Sequence, residues 1–581
     1  MKRCKHAAAI LLTMVLSLGA LVGCGKTQSQ QTLLVPETLS VCLGSAPVTL
    51  DPACAAEPRD LTVISNLYEN LMKLAEDESG NLTPVFAMAR SYEDERHIDG
   101  SVTYTFRLRN ARWSDGSSVV ADDFVFAWQR LADPAVNSPN AQLMSIIKGY
   151  DEVQATGDVS KLQVEAKNSS TLVVTITGTC EWFLTDVCTA PAASPLRRAL
   201  VAPASEADAA SDSADSSAPA SPSAVDAWSS DPTKLVTNGP YCVGESGSRS
   251  MTLVQNERYS NHDDSPETIR IVYADTPEDG WNLYQAGTVD FLAELPESQL
   301  QLLAQDPEWE PLAFPTTCLL LFNTNHDVLS DPLVRQALHT VIDRTAISAA
   351  AGAACLPASG LVSPSVPDSD ADAANFRQHG GDLVNCDPTI LTANLRGIQQ
   401  LLEEAGFDID APFPAMELLY PALPRYEAAA QQLASCWSSA FHMEIQLTAM
   451  EPAALEAALA SGQYALALTE LTAPANDAQS FLQCWVTDHP SNVVAYSNTA
   501  FDTLLAVIRS ASDDDARRGC LHDAESLLLE DIPLTPLYFT GTDYALQDDL
   551  TGLLRDARGT FQFAGIRQIV LPEEPADASG S

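Results

Sequence analysis

Along most of this chain the spacing of apolar side chains switches repeatedly between a period of two and a period near 3.6. The first period sets one face of a strand against a core, and the second does the same for a helix. Thr103-Tyr104-Thr105-Phe106-Arg107-Leu108-Arg109 alternates, with Tyr104, Phe106 and Leu108 on one face, and predicts a half-buried strand. Trp113-Ser114-Asp115-Gly116 then turns the chain. Asp122-Asp123 opens a helix whose Phe124, Ala127, Trp128 and Leu131 form an apolar stripe, and Asp133-Pro134 ends it. Asp60 is expected to cap a helix carrying Leu61, Ile64, Leu67, Tyr68 and Leu71. Further strands are expected at 39–43, 251–254, 289–291, 416–420, 445–447 and 464–468, with the segment 269–273 after the second of these and an apolar run at 318–322. Helices are expected at 281–286, 334–342 and 391–405, the last closed by Gly406. Strands alternating with helices predict α/β construction.

Size and charge narrow the choices. The 581 residues suffice for about three to five domains of ~100–200 residues. The 77 acidic residues against 32 basic ones give a net charge of −45. That excess repels phosphates, which argues against a nucleic-acid partner and against charge-driven docking on anionic lipid. Residues 202–231 are Ala, Ser, Pro and acid without Lys or Arg, and are expected to form a disordered surface insertion.

The amino end carries an address. Met1-Lys2-Arg3-Cys4-Lys5 is basic, 7–22 is an apolar run, and Leu21-Val22-Gly23-Cys24 precedes a polar stretch. This reads as a secretory signal, with a run shorter than the ~20 residues of a spanning helix. Leu-Val-Gly-Cys resembles the lipobox of bacterial lipoproteins, which implies cleavage before Cys24 and acylation of that residue. An uncleaved anchor helix or a soluble secreted protein are the alternatives. Each buried acyl CH₂ contributes ~0.8 kcal/mol, so several chains anchor without a spanning helix. Of the 13 cysteines, Cys4 and Cys24 belong to this leader, and the rest are scattered without a CxxC pair. A structural zinc site is therefore not expected. Cys180 and Cys188 are nearest in sequence and are the candidates for a disulfide; the others read as small buried apolar residues.

No HExxH, GxSxG or GxxxxGK[ST] occurs, and the nine histidines are dispersed. No catalytic residue, metal or cofactor is expected.

Trp113-Ser114-Asp115-Gly116, with the strand before it and Ala121-Asp122-Asp123-Phe124-Val125-Phe126-Ala127-Trp128-Gln129-Arg130 after it, is similar to the oligopeptide/dipeptide-type solute-binding proteins of ABC importers. The similarity continues through Leu50-Asp51-Pro52, Leu67-Tyr68-Glu69-Asn70-Leu71, Asn238-Gly239-Pro240-Tyr241 and Asn256-Glu257-Arg258-Tyr259. It runs on through Tyr284-Gln285-Ala286-Gly287-Thr288-Val289-Asp290, Phe322-Asn323-Thr324-Asn325, Val334-Arg335-Gln336-Ala337-Leu338 and Ile342-Asp343-Arg344. Residues 401–407, Ser480-Phe481-Leu482, Ile532-Pro533-Leu534 and Leu537-Tyr538 complete it.

The resemblance implies a two-lobed α/β fold of the class II, periplasmic-binding-protein-like type with an extra small domain. A signal peptide (1–23) and a lipidated tether (24–36) would lead into the first lobe, made of 37–67, 196–317 and 542–572. The small domain would be 68–195, the second lobe 318–541 and the tail 573–581. The chain would cross between lobes near Cys318 and Phe539, and the lobes would close on a ligand. The implied protein is a monomer, lipid-anchored on the extracytoplasmic side of the cell membrane. It would capture peptides and deliver them to the permease and ATPase subunits of an importer. An oligosaccharide or metal chelate as the solute, or a peptide-signalling role, are the alternatives.

In peptide binders of this family an Asp ahead of the Ser-Phe-Leu helix holds the ligand's α-ammonium. Counting back from Ser480, that position is Pro474. The aromatic position is Leu471, the nearby arginine position is Leu468, and a position often Tyr is Asn140; Tyr284 is retained. A buried ammonium needs an anion, which makes Glu470 and Asp477 candidate replacements. A helix cap or a solvent-facing acid is the other reading of each. The ligand candidates are thus Asn140, Tyr284, Glu470, Leu471 and Asp477.

Overall fold

The computed structural model describes residues 32–570 apart from 78–79, 179, 181, 202–227, 261–263, 369–373, 409–410, 412 and 511–513. The leader with Cys24, the tail and most of the expected 202–231 insertion lie outside the described residues. Trp228, assigned to that insertion from sequence, is half-buried against the largest core. Thr32–Leu34, expected in the tether, instead forms a strand paired antiparallel with Arg567–Val570.

The first lobe is built on a six-stranded sheet. Its order is Ala545–Leu546, Phe291–Leu292, Thr38–Cys42, Thr268–Val272, Ser250–Gln255 and Tyr241–Ser246. Thr38–Cys42 has a parallel neighbour on each side. The helix after it differs from expectation. It runs Pro58–Leu67 with Glu57 at the N-cap, because Pro58 has its φ preset and no N–H to leave unpaired in the first turn. Asp60 sits inside that turn, where its carboxylate accepts the Val48 and Thr49 N–H groups at 3.1 and 3.2 Å and pins the preceding loop. The helix's far end explains Asn238-Gly239-Pro240-Tyr241. A Cβ on Gly239 would lie 2.7 Å from the Leu67 carbonyl, and the Asn238 side chain bridges both backbone groups of Glu69.

The small domain carries a four-stranded antiparallel sheet of Ala89–Arg96, Val102–Leu108, Thr171–Ile176 and Val164–Asn168. Tyr92, Tyr104 and Phe106 pack on one another, and Tyr104 and Phe106 also pack on Phe183. In the following helix, Ala121–Ala132, Asp123 accepts the Val120 N–H at 2.9 Å and the Trp113 indole N–H at 3.1 Å. Near the helix's end Arg130 makes a two-pronged bond to Asp51 at 2.8 and 2.5 Å, with both side chains buried. The first lobe and the small domain share one apolar core, in which Val41 and Ile269 belong with Phe106 and Trp128.

In the second lobe the strand order is Leu356–Pro357, Leu534–Thr542, Leu312–Phe322, Leu466–Thr472, Met416–Pro421 and Ile445–Met450. Along Leu312–Phe322, alternation sends Cys318, Leu320 and Phe322 into one core with Val334, Ala337 and Leu433. Leu319 and Leu321 enter a second core with Phe481, Trp485 and Leu521. Helices thus cover both sheet faces, which is why the strand reads as an unbroken apolar run. The strand expected at 464–468 lies further on, at Leu466–Thr472. Thr317 stands opposite Phe539 and Cys318 opposite Tyr538, with a break in register between Ala313 and Thr317. Cys180 and Cys188 are not bonded; both are buried free thiols, and the other cysteines among the described residues are free as well.

Candidate functional site

A cavity of about 400 Å³ lies against the second-lobe sheet, with Gln142 of the small domain on its wall. Its floor is the face of the sheet carrying Leu319, Leu321, Thr469 and Leu471. Leu459, Trp485 and Val493 add apolar wall. The Cys484 thiol is pushed up to about 12 by burial and stays neutral. A hollow of about 490 Å³ beside Asp99 and Lys148 is shallower, and the ion pair in it is exposed.

Three buried polar atoms on residues lining the cavity make no hydrogen bond: Glu470 Oε1, which has the Arg425 guanidinium 3.1 Å away, and Ser480 Oγ and Trp485 Nε1, on side chains only 3 % exposed. An unsatisfied buried polar group costs about 1–3 kcal/mol, a penalty that a bound solute relieves. Ser480 lies on the short helix Ala478–Leu482, and Trp485 on the turn of 3₁₀ helix that follows it. Ser480 falls within a motif legible in the sequence, whereas nothing there singles out Trp485.

Glu470 and Asp477 are both engaged. Glu470 is among the residues lining the cavity, but side chains alternate along Leu466–Thr472, and its carboxylate is directed away from Leu471 to Arg425, 3.1 Å away. Asp477 caps the Ala478–Leu482 helix through the Gln479 N–H at 2.8 Å and pairs with the buried Arg517 at 2.8 Å. Its helix-cap reading is therefore the one realised in the structure.

Asn140 and Tyr284 are not on the cavity wall. Asn140 Nδ2 donates to the Ala55 carbonyl at 2.6 Å and fixes the loop after Asp51; Gln142, two residues on, is the cavity residue. Tyr284 is on the first-lobe helix Pro277–Gln285 and stacks on Trp281 with ring centroids 5.5 Å apart. Leu468 is buried in the core on the opposite face, whereas Leu471 and Pro474 both line the cavity.

Beside the cavity, three parts of the chain meet. Asp186 of the small domain accepts the Asn476 N–H at 2.7 Å and pairs with Arg558 at 3.3 Å. Arg558, from the carboxyl-terminal segment, also donates to the Pro474 carbonyl at 2.5 Å. None of these residues carries a sequence motif, since the clasp exists only once residues 186, 476 and 558 are folded together.

Two separately cored sheets, two long strands whose residues at the expected crossing face one another, and a solute-sized cavity facing the other domain define a two-lobed solute-binding protein. The chain belongs to the bacterial extracellular solute-binding proteins, family 5, whose model matches residues 83–492. It is 27 % identical over 503 residues to a probable deoxycholate-binding periplasmic protein of Escherichia coli K12, covering 85 % of this chain and 86 % of that one. It is 25 % identical over 577 residues to a dipeptide-binding protein of Bacillus subtilis 168, covering 96 % and 98 %. Among solved structures, the Escherichia coli murein tripeptide binding protein superposes with a TM-score of 0.69 at 23 % identity, covering 93 % and 100 %. No helix among the described residues is long and apolar enough to cross a membrane.

Proposed function

We propose that this chain is the extracytoplasmic receptor of an ABC importer, held at the membrane by lipid on Cys24, and that it captures peptides in the cavity beside Leu471. The observation that carries this reading is the largely apolar cavity on whose lining residues the buried Ser480 Oγ and Trp485 Nε1 have no partner. A peptide bond offers a carbonyl to the indole N–H and an amide to the hydroxyl, between side chains that suit the apolar walls. The names of relatives that bind dipeptides and murein peptide support the same class. The protein delivers its ligand unchanged to permease and ATPase subunits; lipid keeps it near them and raises its effective concentration.

The apolar wall also favours a second reading, an amphipathic solute that is not a peptide, the class named for one relative. Titration calorimetry with defined di- to pentapeptides and with deoxycholate separates the two. Peptide binding with the ligand recovered intact is the expected result. Binding of deoxycholate alone, or release of cleaved peptide, would reject the peptide-receptor reading.

A further inference from the structure

The charge pattern around the cavity says which end of a ligand it takes. This deepens the peptide reading above and rests on it. The chain has 77 acidic residues and only 32 basic ones, so carboxylates without a basic partner are the rule on its surface. Around the cavity the pattern is reversed. Glu470 is held by Arg425, Asp477 by Arg517 and Asp186 by Arg558. Glu456 stands on the rim and is exposed, where an ion pair is screened by water. His489 Nδ1 accepts the Ser491 N–H at 3.2 Å.

A ligand ammonium entering this cavity would lose water and find no buried carboxylate without an arginine. Glu470 Oε1 makes no hydrogen bond but has Arg425 3.1 Å away, and the other two unpartnered groups are donors. Trp485 Nε1 is solely a donor and Ser480 Oγ can donate, so both are completed by an acceptor oxygen.

We infer that the cavity selects ligands that present an uncharged carbonyl on an apolar body, and specifically peptides whose amino end is capped as an amide over peptides with a free α-ammonium. In such a ligand the capping carbonyl meets the Trp485 N–H, and the capping alkyl group lies against Leu319, Leu321 and Leu471.

The test uses one apolar tetrapeptide in free-amine and N-acetyl forms, titrated into the full mature chain at neutral pH and fixed ionic strength. The acetyl form is expected to bind at least tenfold more tightly. Trp485→Phe keeps an aromatic ring and removes the donor. It is expected to weaken the acetyl form about tenfold and the free-amine form by less, narrowing the difference between the two, with an unaltered Tm as the control for folding. Equal or tighter binding of the free-amine form overturns this inference while leaving the peptide reading intact. Binding of neither form overturns the peptide reading, and this inference falls with it.

Discussion

Removing the Asp186 carboxylate should loosen the join between the small domain and the second lobe. In Asp186→Ala, the Asn476 N–H loses an acceptor at 2.7 Å and Arg558 loses its partner at 3.3 Å. Hydrogen bonds to charged groups are worth about 1.5–3 kcal/mol each, but water reaches this site, because the side chains of Asp186 and Arg558 are 11 % and 19 % exposed. Arg558 also keeps its bond to the Pro474 carbonyl. A net loss of about 2 kcal/mol is expected, equivalent to about a thirtyfold shift away from the clasped arrangement. Single-molecule energy transfer between the small domain and the second lobe reads this directly. The dyes should be placed through unnatural amino acids, because the free cysteines rule out thiol labelling. A larger clasped-to-open shift in Asp186→Ala than in Asp186→Asn, which keeps an acceptor for the Asn476 N–H, is the expected outcome. A distance distribution identical to wild type in both variants would refute the reasoning.

Three other outcomes concern the scaffold. Arg130→Met strands the Asp51 carboxylate in the core and should cost about 3–5 kcal/mol in urea unfolding, while adding Asp51→Leu should restore much of that; additive losses would contradict a pair that acts as a unit. Gly239→Ala drives a methyl into the backbone at Leu67 and Tyr68 and should lose about 1–3 kcal/mol, so an unchanged Tm would show that the helix end can give way. Glu69, which accepts the Tyr259 hydroxyl at 2.5 Å, is raised above its ordinary 4.5 mainly by burial. A raised carboxyl binds its proton more tightly in the folded chain, so its contribution to stability is complete below 4.5 and is lost as pH rises through the raised value. Tm followed from pH 4 to pH 7 should therefore fall less steeply in Glu69→Gln than in wild type; parallel slopes would contradict this.

Strands and helices were legible wherever one face alternates or repeats. The 103–109 strand, the helix opened by Asp122-Asp123 and the apolar run at 318–322 all lie where the pattern sets them, at Val102–Leu108, Ala121–Ala132 and within Leu312–Phe322. Boundaries slipped where a local group outranked the pattern: Pro58 took the first turn of a helix expected to begin at Asp60. Division into domains was harder, since motifs mark turns but not which core they feed, and the first lobe and small domain feed the same one. The cavity was legible only in part. Leu471 and Pro474 were found by position relative to Ser480, and Glu470 lines the cavity too, but that its carboxylate is taken up by Arg425 is a tertiary property. Asp477 was ambiguous for a physical reason, since a carboxylate ahead of a helix caps as readily as it binds a cation. Trp485 and the residues of the clasp carry no local signature.

That two lobes close around a solute without altering it can be checked in one titration. Small-angle scattering of the mature protein should show the radius of gyration falling in proportion to occupancy as an apolar N-acetyl tetrapeptide is added, with mass spectrometry recovering the peptide intact. A radius that stays constant through saturation measured by calorimetry, or a shortened peptide, would contradict a closing receptor.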